Sequence, residues 1–495
     1  MSISSNFRSC LLGALMLLVS PAASALEASA PAILGRSVLG GPAAGPCVLP
    51  FLSGNSRYVV FVCQSRDLVF GDDNDRSDTL WVDRYTGEVR RVSLNAANTE
   101  QRNHSGLGFP SSDGGYVAFR AEGLFHPDVV WVPPGSADAS TPNVFLRTFV
   151  PPSTELLGRH RNGEGNPGLE GATLLHANPD RYEVLFFSRA NYVGAAGELP
   201  SLVNEMFLRN WQTGEVERIS ARPDGGKSAT DANSGSISSD GRYVVFRTRA
   251  SDITDDNPLA LNQLFLRDRQ VGITRRLTRP WFGGEFSPSP PLNVGPNYST
   301  RPKISETGAF VLFSAGLNDE FTPDDNIGFS DVYLLDVGSS HTELISRGFN
   351  GAPTDGSSTS AAMSADGRFV AFFSRASNIT TVSNPYSAIY VKDRMTGEIV
   401  NVTASLGRTN PLPFEPQLDL SPDGRTLVFS WRGDDPAYPG VYRRVLIYSV
   451  SLSGNGLTPE VVAVPAMSSA VSWLLAALVG GLALLTLIGR RQSTR

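Results

Sequence analysis

The chain has 495 residues, about three times the size of a typical domain and beyond the size at which one hydrophobic core stops growing, so it holds several domains or one repeated architecture. Gly 48 and Pro 34 with 41% hydrophobic and 18% charged residues exclude a long-helix, collagen-like or wholly disordered chain. Forty-two basic against 48 acidic side chains, a formal charge of −6, give no basic block for nucleic acid, and three Cys with five His argue against a zinc protein.

The N-terminal segment carries Arg8, an apolar run from Leu11 to Val19, Pro21, and the small residues Ala23-Ser24-Ala25 before Leu26. This pattern predicts a secretory signal peptide over 1–25, cut between Ala25 and Leu26; the apolar run is too short to span a bilayer. Residues 26–45 read as an N-terminal linker.

From 46 to 463 one phrase recurs, a small polar turn followed by a strand that ends in Phe. Its copies include S-G-N-S-R-Y-V-V-F to Phe61, S-S-D-G-R-Y-V-V-F to Phe246 and S-A-D-G-R-F-V-A-F to Phe372. With Phe119, Phe186, Phe313 and Phe429 there are seven copies, and the step from each Phe to the next is too regular for chance. A second phrase, as in W-V-D-R-Y-T-G-E at Asp83 and V-K-D-R-M-T-G-E at Asp393, follows the Phe at a nearly constant distance in five of the units, so the two are locked in register. S-x-D-G is hairpin-turn chemistry. The uninterrupted apolar run after it marks a strand buried on both faces, and V-R-R-V-S after the second turn alternates like an outer strand. Four strands per unit, repeated around an axis, predict an all-β propeller of about seven four-stranded blades.

The pairing of S-x-D-G-R-Y-V-x-F with D-R-x-T-G-E resembles the TolB-like propeller repeat, a relative of the WD-type (WD40-like) propellers. The resemblance implies a binding or interaction scaffold for a protein or polymer partner. The second and seventh units depart from it: the second lacks D-R-x-T-G after Phe145, and the seventh ends in R-V-L-I-Y-S-V without the turn.

Acidic loops follow three of the Phe-ending strands, starting at Asp72, Asp255 and Asp324. Their oxygens could hold Ca²⁺, but Asx turns that order the loop explain the recurrence more economically, and no metal or cofactor site is assigned. The sequence has no G-x-S-x-G, no H-E-x-x-H, no Walker loop and no Cys with a His base, so no catalytic residue is assigned. The histidines His104, His126, His160, His176 and His341 are scattered. The rival reading is a carbohydrate-active or hydrolytic propeller that draws His, Arg and carboxylates from several blades into its central channel.

Cys47 and Cys63 are the two cysteines left after signal cleavage. Their midpoint is Asn55, in the first turn, so a symmetric hairpin sets them opposite each other and export would oxidise them to a disulfide. A bulge in the turn would instead put them on opposite faces as buried thiols.

Residues 464–495 close the chain. Val471 to Ile488 is uncharged, and Arg490, Arg491 and Arg495 follow it, which predicts a transmembrane helix with a basic membrane stop and the body on the trans side. Val464-Pro465-Ala466-Met467-Ser468 with Trp473, then an apolar helix and a basic tail, resembles the bacterial PEP-CTERM and IPTL-CTERM sorting signals. A plain tail anchor gives the same address, the cell envelope: the inner membrane facing the periplasm, or the surface after sorting.

Overall fold

The computed structural model describes residues 25–454 except 101–102, 123–141, 159–171, 191, 194–200, 284–300, 317–320, 324–327, 383, 407–414 and 433–444. The signal segment before Ala25 and the whole sorting signal lie outside the described residues. Two short strands come first, β1 (Glu27–Ala28) and β2 (Ala32–Leu34). The first blade runs outward from β3 (Cys47–Leu52) through β4 (Tyr58–Cys63) and β5 (Asp78–Asp83) to β6 (Val89–Arg91). The same antiparallel order repeats in β7–β10 (105–156), β11–β14 (173–218), β15–β18 (232–276), β19–β22 (303–344) and β23–β26 (358–401). The last sheet holds β27 (Leu418–Leu420), β28 (Thr426–Arg432) and β29 (Val445–Ser453). The protein is a seven-bladed β-propeller with four-stranded blades.

The seventh blade takes its outer strand from the other end of the chain. Glu27 pairs with Ser453, Ala28 with Leu452, and Ile33 with Tyr448. Residues 27–34 therefore belong to the propeller, where the sequence pattern suggested part of a linker. Two very short strands separated by Pro31 show no period, and it is the open edge of β29 that gives them ladder partners. This also explains why the seventh unit lacks its second turn.

The recurring Phe residues are the core of the ring. Phe61, Phe119, Phe186, Phe246, Phe313, Phe372 and Phe429 are all buried. In six blades the Phe stacks against an aromatic residue of the third strand, as Phe246 does on Phe265 (ring centroids 5.9 Å) and Phe429 on Tyr448 (5.7 Å). Such pairs add to the area they bury.

In three of the five units that carry both phrases, the register lock between them is an ion pair. The Arg that follows the first turn reaches the Asp that ends the third strand: Arg57–Asp83 at 2.6 Å, Arg242–Asp268 at 2.7 Å and Arg368–Asp393 at 2.7 Å. The same Asp nucleates the second turn, since Asp83 Oδ1 accepts the Tyr85 N–H at 2.9 Å. The next Arg stitches neighbouring blades, Arg269 to Glu217 and Arg394 to Glu343, each at 2.7 Å. In the first turn the Ser hydroxyl donates to the Asp carboxylate and accepts the backbone N–H that opens the next strand, as with Ser421, Asp423 and Thr426. Gly424 there has φ 73°, and a Cβ on it would fall 2.5 Å from Phe369 of the preceding blade, so this glycine serves both turn and seam.

Cys47 and Cys63 are directly opposed and disulfide-bonded. The turn is not symmetric about Asn55. Leu52↔Val59 and Phe51↔Val60 centre it between Asn55 and Ser56, a register that alone would set Cys47 against Gln64. One extra residue between Val48 and Phe51, where Leu49 has φ 57°, shifts the pairing back by one. A bulge is present, and it is what brings the cysteines together.

Candidate functional site at the channel mouth

All seven inner strands converge on one cavity of about 320 Å³, at the end of the channel where the first turns lie. Aligned on the turn, the residues two places before it are Phe51, Phe109, His176, Ser236, Lys303 and Asp419, and each of these lines the cavity. Strand alternation turns this position towards the axis in blade after blade. Repetition of the scaffold thus places six side chains of five different chemistries in one ring.

Two cations from the fifth blade reach across it. Arg301 Nη1 donates to the Leu175 carbonyl of the third blade, and its guanidinium lies 6.0 Å from the Phe51 ring and 5.9 Å from the Phe109 ring. Those two rings are 4.5 Å apart, and His176 meets the Phe109 edge at 4.9 Å. Lys303 Nζ donates to the Leu418 carbonyl at 3.1 Å and stands 3.9 Å from Asp419 Oδ1. Asp419 Oδ2 in turn accepts the Leu52 N–H at 2.9 Å, across the seam between last and first blades.

Burial sets the protonation of the ring. It pushes His176 down to about 3, with Arg301 and Lys303 adding to the shift. The imidazole is therefore neutral, and its Nδ1 accepts the Ile237 N–H at 3.3 Å, which leaves the Nε2 proton as the donor. Burial also lowers Lys303, against the pull of Asp419, and raises Asp419 against the pull of Lys303. Glu306, at the rim, is raised by burial and by Asp419 and Asp180. The mouth offers two cationic donors, neighbouring carboxylates and an aromatic pair, a set that suits a polar ligand with one apolar face. A neutral His with so low a pKa is a weak base at neutral pH.

Of these residues only His176 stands out in the sequence as a candidate. Aligning the seven repeats on their first turn would have exposed the others, because Lys303 and Asp419 occupy a position that is Phe in blades one and two.

The acidic loops at Asp72 and Asp255 lie between the second and third strands of their blades, at the end opposite the first turns. Asp72, Asp78 and Glu100 bring carboxylate oxygens within 4.8 Å of one another. Arg91 stands among them, 3.1 Å from Glu100 and 3.5 Å from Asp72. Burial, then the charge of Asp78, raises Asp72 to about 7. The donor set is one a divalent cation uses, and the guanidinium already takes part of it. In the loop of Asp255, the Asn257 amide ties Ala250 and Leu261 carbonyls together at 2.9 and 3.0 Å, which is loop ordering. Asp324, His126 and His160 lie outside the described residues. His104 packs on Arg76 and Ser77, and His341 is exposed; neither approaches the channel mouth.

No family model matches the chain. No curated protein matches it either. Similar solved structures include an oligogalacturonate lyase from Vibrio parahaemolyticus, at 11% identity over 87% of this chain and 98% of that one, with a TM-score of 0.48. The β-propeller domain of the Trilobed protease from Pyrococcus furiosus matches at 11% identity over 86% and 99%, with a TM-score of 0.46. TolB from Acinetobacter baumannii matches at 14% identity over 64% and 62%, with a TM-score of 0.34. At these identities the likeness is one of fold.

Proposed function

We propose that this protein is an exported, envelope-tethered propeller that binds a protein or polysaccharide partner at its channel mouth. The observation that supports the reading is the convergence of all seven blades on one cavity into which Arg301 and Lys303 project between Phe51, Phe109 and Asp419. A rigid ring holds these groups without a cost of ordering loops, which favours specific binding. The N-terminal leader and the C-terminal helix with Arg490 and Arg491 supply the address and the membrane contact. Nucleic acid is not a partner on this reading.

The test is affinity capture from envelope extract with the mature chain and with an Arg301→Ala, Lys303→Ala variant. Each charged hydrogen bond lost to the partner costs about 1.5–3 kcal/mol, so retention should fall at least tenfold. Equal retention by both chains would remove the channel mouth from the interaction. Turnover of a polysaccharide panel that depends on Lys303, Glu306 or Asp419 would replace the binding reading with the enzymatic one.

A further inference from the structure

The N-terminal strand ends on an acceptor. The Leu26 nitrogen donates to Glu398 Oε2 at 3.2 Å, a contact between opposite ends of the chain. Glu398 belongs to the sixth blade and immediately precedes β26 (Ile399–Asn401), while Leu26 leads into the outer strand of the seventh. The Leu26 side chain is buried in the core shared by these blades. A little further on, Ser29 N donates to the Ser451 carbonyl at 2.8 Å and Ser451 N donates to Ser29 Oγ at 2.9 Å, so the segment is held on both sides. Ala25 is exposed.

The bond at this point is the one that the A-x-A pattern of Ala23-Ser24-Ala25 marks for cleavage. A signal peptidase would hydrolyse it with one water, leaving a carboxylate on Ala25 and an α-ammonium on Leu26. We infer that this new α-ammonium forms an ion pair with Glu398, so that removal of the leader latches the strand that closes the ring. The hydrogen bond of an amide becomes a charge-assisted one at the same atoms. The inference rests on the export reading above.

The latch has two separable tests. First, N-terminal sequencing of the exported protein should give Leu26 as residue one; another start would overturn both the export site and the latch. Second, full chains starting at Leu26 or at Ser24 are prepared in detergent, each with Glu398 or with Glu398→Gln. Deuterium uptake of the segment 26–29 is then followed. With Glu398 present, the Leu26 start should exchange about three- to tenfold more slowly than the Ser24 start. With Glu398→Gln the two starts should exchange alike. Equal exchange with Glu398 intact, or a difference that survives Glu398→Gln, would overturn the latch while leaving the export reading standing.

Discussion

Two glycines with nearly the same backbone separate the turn from the seam. Gly424 has φ 73° and Gly397 φ 77°, so an alanine at either carries the left-handed penalty of about 1–2 kcal/mol. Their surroundings differ. A Cβ at Gly397 meets nothing within 4 Å, whereas one at Gly424 lands 2.5 Å from Phe369 Cδ2 and 3.1 Å from Cγ. Phe369 is 3% exposed and lies under the Arg368 guanidinium, 4.8 Å from its ring centre. Arg368 is itself held by Asp393 at 2.7 Å, so the ring has nowhere to swing. Overpacking of this kind adds about 1–3 kcal/mol. Gly424→Ala should therefore cost about 2–5 kcal/mol and Gly397→Ala about 1–2 kcal/mol, read as shifts of the urea midpoint at unchanged slope. In a Phe369→Ala background the cost of Gly424→Ala should fall to the backbone part alone. Equal costs at the two glycines, or an undiminished cost in that background, would refute the account of the seam.

The disulfide predicts no reactive thiol in the denatured, unreduced mature protein, and a loop of about 15 residues implies a loss of roughly 3 kcal/mol when Cys63→Ser opens it; two labelled thiols per chain would contradict it. Asp72, raised from 3.8 to about 7, binds its proton more tightly in the folded state, so stability should fall as the pH rises through that window. Asp72→Asn should flatten that slope, and pH–stability curves that run parallel in the two proteins would show that the cluster does not carry it. On the proposed export and anchoring, deleting residues 464–495 should move the protein from the membrane to the soluble fraction, since the rest of the chain after Ala25 has no apolar run long enough to span; a truncated chain that stays in the membrane pellet would misplace the anchor.

The repeat was legible from local chemistry alone. S-x-D-G with Arg after it, the Phe-ending run and D-R-x-T-G-E each act within a single repeat, through a turn, a buried strand and the Arg368–Asp393 type of ion pair. Their period counts the blades whatever the tertiary detail. Three features were decided only in the tertiary structure. Residues 27–34 become a strand only because β29, at the far end of the chain, offers an edge, and nothing in E-A or A-I-L shows that in advance. The opposition of Cys47 and Cys63 depends on a bulge at Leu49, and a register shift by a single position leaves no mark in composition. The channel mouth gathers Phe51, Arg301, Lys303 and Asp419 from blades distant in sequence, each of which looks like an ordinary strand residue in its own repeat. Short-range hydrogen bonding and hydrophobic pattern are written residue by residue, whereas the meeting of side chains on an axis exists only after seven blades have closed around it.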